Sequence, residues 1–155
     1  MRRLGFLIVV ITLILSRVPD ASAQSKLPRS VNDQTVEKIL QGMQLKYTKN
    51  QRKEKEGAIT NFYFKRGDAS CRLTNYGSDL WIEWQVDKKL KLDDVNRWNA
   101  QAKFSRLVLI DADKQASVSL EAQLDCLGGV TDALIRQFIN RFDDEAKKFA
   151  KSFPK

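Results

Sequence analysis

AITNFYFKRGDASCRLTNYGSDLWIEWQV, residues 58–86, is the stretch that decides the fold. From Ala58 to Lys65, Phe62 and Phe64 fall on one side of an extended chain, with Ile59 and Tyr63 on the other. From Ala69 to Asn75, Cys71 and Leu73 share one face, and Arg72 and Thr74 the opposite one. From Leu80 to Val86, Leu80, Ile82, Trp84 and Val86 oppose Trp81, Glu83 and Gln85. Two punctuations, Arg66-Gly67-Asp68 and Tyr76-Gly77-Ser78-Asp79, separate these runs. A period of two, interrupted by short glycine turns, is the signature of an antiparallel meander with one buried face. The tripeptide Arg-Gly-Asp lies in a tight hairpin turn and is read as a turn, not as an adhesion signal.

On the N-terminal side, Val36, Ile39, Leu40 and Met43 recur at helical spacing within Val31 to Met43. Asn32 or Asp33 suits the start of that helix and Gly42 its end. Gln44 to Gly57 is charged and without period, and is read as an extended edge plus an exposed loop. On the C-terminal side, Asp87 to Lys91 is a polar link. Leu92 to Lys103 is a second helix, with Asp93 and Asp94 at its positive end and Val95, Trp98 and Ala102 facing inward. Arg106 to Asp111 and Ala116 to Leu127 form a second hairpin, its turn at Asp111 to Gln115. Val118, Leu120, Ala122, Leu124 and Cys126 line one face of its last strand. Gly128-Gly129 breaks the strand. Thr131 caps a long final helix whose stripe is Ile135, Phe138, Ile139, Phe142 and Phe149. Its surface carries the pairs Asp143 with Lys147 and Asp144 with Lys148.

The expected class is α+β: a two-layer sandwich in the order α-β-β-β-α-β-β-α, with an antiparallel five-stranded sheet and the helices on one face. The other face is then open. Tyr63, Arg72 and Trp81 are placed on it, with Leu107 and Leu109 at its edge. Aromatic residues and arginine concentrate binding energy at interfaces, so these three are the candidate partner-binding residues.

The first 23 residues concern location rather than fold. Arg2 and Arg3 precede an apolar run, Leu4 to Leu15, and Pro19 precedes Ala21-Ser22-Ala23. That is the pattern of a secretory signal peptide cleaved after Ala23. The run is shorter than the roughly 20 apolar residues a spanning helix needs. Residues 24–32 are then a flexible leader and residues 33–153 the domain. Loss of Arg2, Arg3, Arg17 and Asp20 takes the net charge from +8 to +6. Outside the cytoplasm, such a surface meets lipid head groups, envelope polymers and acidic proteins rather than nucleic acid. The basic loop residues Lys49, Arg52, Lys53 and Lys55 are the candidate anion site, diluted by Glu54 and Glu56.

Histidine is absent from the chain, which removes His-based triads, His zinc sites and a His general base. Two cysteines, Cys71 and Cys126, cannot form an all-cysteine zinc site. They are either one disulfide of an oxidising compartment or two buried thiols. Asp111-Ala112-Asp113 begins like a calcium loop. Ala116 and Ala122, however, stand where that loop needs glycine and a bidentate glutamate. Asp93-Asp94 and Asp143-Asp144-Glu145 are adjacent on helices, where side chains diverge; helix-end and solvent roles explain them. Gly128-Gly129 lacks the remainder of a phosphate loop. No metal, no cofactor and no enzymatic activity are expected.

The helix Leu92-Asp93-Asp94-Val95-Asn96-Arg97-Trp98-Asn99, the entry Phe104-Ser105-Arg106, Asp111, and Leu127-Gly128-Gly129-Val130-Thr131 together resemble the YbjN family. The resemblance spans roughly residues 33 to 153. It implies a fold similar to type III secretion chaperones, whose members hold protein segments and often form dimers, and a sensory or stress-regulatory role. None of these residues has a catalytic role in the family. The signal peptide is a departure from it. In that fold the strands of Cys71 and Cys126 are not immediate neighbours, although both face the helix layer, so the disulfide stays open. The expected function is that of an exported, non-enzymatic protein-binding or regulatory module of the periplasm or envelope, with a protein partner or a second copy bound. The alternative is an envelope protein that binds anions or a lipid surface through the basic loop, without spanning the membrane.

Overall fold

The computed structural model describes residues 27–54, 57–112 and 115–154. The expected signal peptide with its cleavage site, the start of the leader, Lys55 and the tip of the second hairpin lie outside the described residues. Helix α1 (Asp33–Gly42) starts where the Asn32 carboxamide accepts the Thr35 N–H at 2.8 Å. It ends at Gly42 as expected, and the left-handed residue Gln44, with φ 58°, follows the C-cap Met43. Four strands follow: β1 (Tyr47–Glu54), β2 (Gly57–Arg66), β3 (Ala69–Asn75) and β4 (Asp79–Val86). Between β2 and β3 the turn has positive φ at Gly67 and not at Asp68, the geometry of a type II′ hairpin, whose twist matches that of the strands. Helix α2 (Leu92–Gln101) is closed at its start by the Asp94 carboxylate, which accepts the Lys91 N–H at 3.2 Å. Strands β5 (Arg106–Ala112) and β6 (Gln115–Asp125) precede helix α3 (Asp132–Ser152), capped by the Thr131 hydroxyl.

All neighbouring strands are antiparallel, in the order β1-β2-β3-β4-β6-β5. The expected two-layer α+β class holds, with one strand more than expected. The Gln44–Gly57 region supplies that sixth strand: β1 pairs with β2 along its whole length, from Tyr47 opposite Phe64 to Glu54 opposite Gly57. The helices cover one face. There Phe62, Leu73, Leu80, Ile82 and Leu120 are buried against Ile39, Ile135, Phe142 and Phe149. Phe149 meets Trp84 and Trp98 edge-on, with centroids at 5.6 and 5.5 Å, so both tryptophans take the core positions expected of them.

Three local expectations change. Leu107 and Leu109 sit opposite Leu120 and Val118, on the helix side of the sheet, and Leu107 is 2 % exposed; neither belongs to the open face. On α3, Lys148 pairs with Glu145 at 2.8 Å rather than with Asp144, while Asp143 with Lys147 forms as expected. Asp143 and Glu145 are not solvated. Each is 8 % exposed, Asp143 facing Arg66 at 3.2 Å and Glu145 accepting the Ser105 hydroxyl at 2.9 Å. Their directions do diverge, as their sequence spacing demands.

Candidate functional site

The uncovered face is built from alternate residues of every strand. Cross-strand pairing sets one row from edge to edge: Thr48, Tyr63, Arg72, Glu83, Glu121 and Arg106. The adjacent row holds Asn61, Thr74, Trp81 and Gln123. The structure therefore brings Tyr63, Arg72 and Trp81 to one face as expected. Tyr63 and Arg72 are direct cross-strand partners, and Trp81 lies one row away.

The row is laid out as cation, anion, anion, cation. Arg72 pairs with Glu83 at 2.8 Å, and Arg106 with Glu121 at 3.5 Å. Burial among its neighbours opposes the Arg72 charge, but the Glu83 carboxylate and the Tyr63 hydroxyl outweigh it, so its pKa is raised. The two glutamates face each other across β4 and β6, a like-charge contact that destabilises unless each is compensated. Each has its own arginine, and the Ser119 hydroxyl donates to Glu121 at 2.6 Å. The Arg106 guanidinium lies 5.0 Å from the Trp81 ring centroid, a cation–π contact. Although no element among the described residues covers this face, Thr74, Ser119 and Glu121 are buried among the longer side chains around them. Tyr63 is 41 % exposed. Beside it the face opens into a cavity of about 780 Å³, lined in part by Tyr63, Ser70, Arg72, Glu83 and Gln85. The arrangement offers aromatic surface and pre-oriented guanidinium groups.

Alternation along β4 and β6 already puts Glu83 and Glu121 on this face, but neither was counted in the site. Arg106 was missed, because its place in the row depends on β6 lying between β4 and β5, which chain order does not display.

The basic loop does not form one cluster. Lys49 turns to the helix side, where it meets Glu37 at 2.7 Å and Asp33 at 3.0 Å. Those two carboxylates raise its pKa despite partial desolvation. Arg52 lies on the opposite face of β1 and pairs with Glu54 at 2.9 Å. Lys53 shares the side of Lys49.

The disulfide left open by the sequence does not form: Cys71 and Cys126 are both free and buried. Cys71 sits opposite Trp84, itself opposite Leu120. Cys126 lies beyond the far end of β6, about 20 Å along the strand direction at ~3.3 Å per residue, whereas a bridge needs Cα atoms within about 7 Å. Burial pushes the Cys71 thiol up to about 12 and the Cys126 thiol up to about 11. Among the described residues, no group of three His, Cys, Asp or Glu residues is placed to hold a metal, and no helix is long and apolar enough to cross a membrane.

No curated protein matches the chain. Among solved structures it is similar to the "Crystal structure of YbjN, a putative transcription regulator from E. coli", with a TM-score of 0.60 at 10% identity, over 79% of this chain and 93% of that one. At that identity the likeness shows the shared fold. The sequence of residues 32–155 matches the family model of YbjN, described as "Putative bacterial sensory transduction regulator". With its helices on one face of an antiparallel sheet and this match over most of its length, the chain belongs to the YbjN family.

Proposed function

We propose that this YbjN domain is an exported, non-catalytic regulatory module that recognises a protein partner in the periplasm or envelope, through the open face of its sheet. The observation that carries the reading is the grouping of Tyr63, Arg72 and Trp81 on the broad face that no helix among the described residues covers, with Arg106 stacked on Trp81. Export rests on the basic start, the short apolar run and the Ala21-Ser22-Ala23 site. The family description as a regulator supports a binding role. Lys49, Arg52, Lys53 and Lys55 make a weaker case for an anion or lipid surface, because Lys49 and Arg52 are paired with carboxylates on opposite sides of β1.

The test is a crosslinked pull-down with the tagged protein from its native envelope, washed at high salt and read by mass spectrometry. One dominant protein is expected to survive the wash. Trp81→Ala is expected to weaken its capture by about tenfold or more, the effect of losing a central aromatic anchor. Recovery of lipids or polyanions alone, removed by salt, rejects the open-face reading in favour of the basic loop.

A further inference from the structure

Strand β5 is the outermost strand on its side of the sheet, so alternate residues along it direct their N–H and C=O away from β6. Leu107 is one of them, and both of its outward groups are already taken. The Asn99 carboxamide N–H donates to the Leu107 carbonyl at 2.9 Å, and the Leu107 N–H donates to Asn99 Oδ1 at 2.7 Å. A side-chain amide thus stands where the peptide group of a further strand would stand. Its carrier is fixed: Trp98, next in α2, is 4 % exposed and packs on Phe149. The need for such a device is local. Opposite it, the β1 edge carries Lys49, Arg52, Lys53 and Glu54, charges that discourage edge pairing. The β5 edge reads Leu107-Val108-Leu109-Ile110 and has no charge along that run.

We propose that Asn99 is an edge plug that keeps a second copy of this chain from adding its own β5 to the sheet. Antiparallel self-pairing places Leu109 opposite Leu109 of the second copy and Leu107 opposite Asp111 of the second copy. Such a ladder is two-fold symmetric, and both of its ends need the Leu107 backbone groups that Asn99 occupies. The plug lies along the sheet edge and is independent of how the open face is used.

The test is the mass of purified Asn99→Ala by light scattering over a concentration series, beside the unsubstituted protein. The variant is expected to reach twice the unsubstituted mass at concentrations where the latter does not change. Asn99→Ala combined with Val108→Lys is expected to return to the unsubstituted mass, because a lysine on the edge strand blocks pairing. A folded Asn99→Ala whose mass matches the unsubstituted protein at every concentration overturns the proposal, as does doubling that Val108→Lys fails to reverse. A second measurement needs no variant: amide exchange of Leu107 in the unsubstituted protein. Protection about tenfold or more above an open edge amide supports the plug, and exchange at the open-edge rate rejects it.

Discussion

Asp33 ties the start of α1 to three strands. Its carboxylate accepts the Thr60 hydroxyl at 2.8 Å and the Asn75 amide at 2.9 Å, and it faces the Lys49 ammonium at 3.0 Å. Burial by itself would raise its pKa; the bonds from Thr60, Asn75 and Lys49 outweigh burial and hold it below the ordinary 3.8. A carboxyl depressed in the folded state stabilises fully above its unfolded value, and that stability is lost as pH falls through the lower folded value. Asp33→Asn is therefore expected to cost about 1–2 kcal/mol near neutral pH and to flatten the acid limb of the stability profile, read as urea midpoints at neutral and acidic pH. The thiols give a second test at this scale. With burial pushing Cys71 to about 12 and Cys126 to about 11, the reactive thiolate is scarce at neutral pH. Neither is expected to react with a thiol reagent until denaturant is added, when both react. Individual side chains of the open face were legible because Tyr63, Arg72 and Trp81 lie in strands with clean alternation. Arg106 was not, since its partners Trp81 and Glu121 come from two other strands.

At the scale of elements, legibility tracked alternation. Strands β2, β3 and β4 have one apolar and one polar face, so their side-chain directions followed from sequence. Strand β1 has only Tyr47 as an apolar residue. Its helix-side positions Lys49 and Gln51 reach the acidic start of α1 instead of entering a core, and a strand of that kind carries no hydrophobic period. Strand β5 fails in the opposite way. Leu107 to Ile110 is apolar throughout, which leaves the face undetermined, and a slip of one residue inverts every side chain. The described part of the segment leading into α1 bonds to two loops, with Val130 N–H donating to Pro28 O at 3.1 Å and Val31 N–H to Gly77 O at 2.8 Å. Gly129 makes this possible. Its φ is +92°, and a Cβ there would lie 2.6 Å from Leu27 Cβ. Gly129→Ala is expected to cost about 1–3 kcal/mol from backbone strain and to speed amide exchange at Val31 and Val130 before the sheet opens.

At the scale of the molecule, the class followed from element order, while the path of the sheet did not. After β4 the chain crosses through α2 to the outer position and returns, so that β6 and not β5 pairs with β4. Nothing in the alternation of either strand states which of them lies inside. The burial does record it afterwards: β6, flanked on both sides, contributes Val118, Leu120 and Ala122 to the core. The two layers are joined where Phe149 of α3 meets Trp84 of β4, Trp98 of α2 and, at 5.0 Å between centroids, Phe153. Phe149 is fully buried, and truncating such a ring costs about 3–5 kcal/mol, lost burial plus the cavity left behind. A domain of this size has only about 5–15 kcal/mol in all. Phe149→Ala is therefore expected to lower the urea midpoint sharply and to shift the emission of Trp84 and Trp98 towards that of solvated indole. Trp81 lies on the other side of the sheet and touches none of these rings, so Trp81→Ala is expected to leave the midpoint within about 1 kcal/mol, the scale of one cation–π contact. Equal losses in the two variants would mean that the open face and the helix layer form one cooperative core, and the separation between a binding face and a structural face would fail.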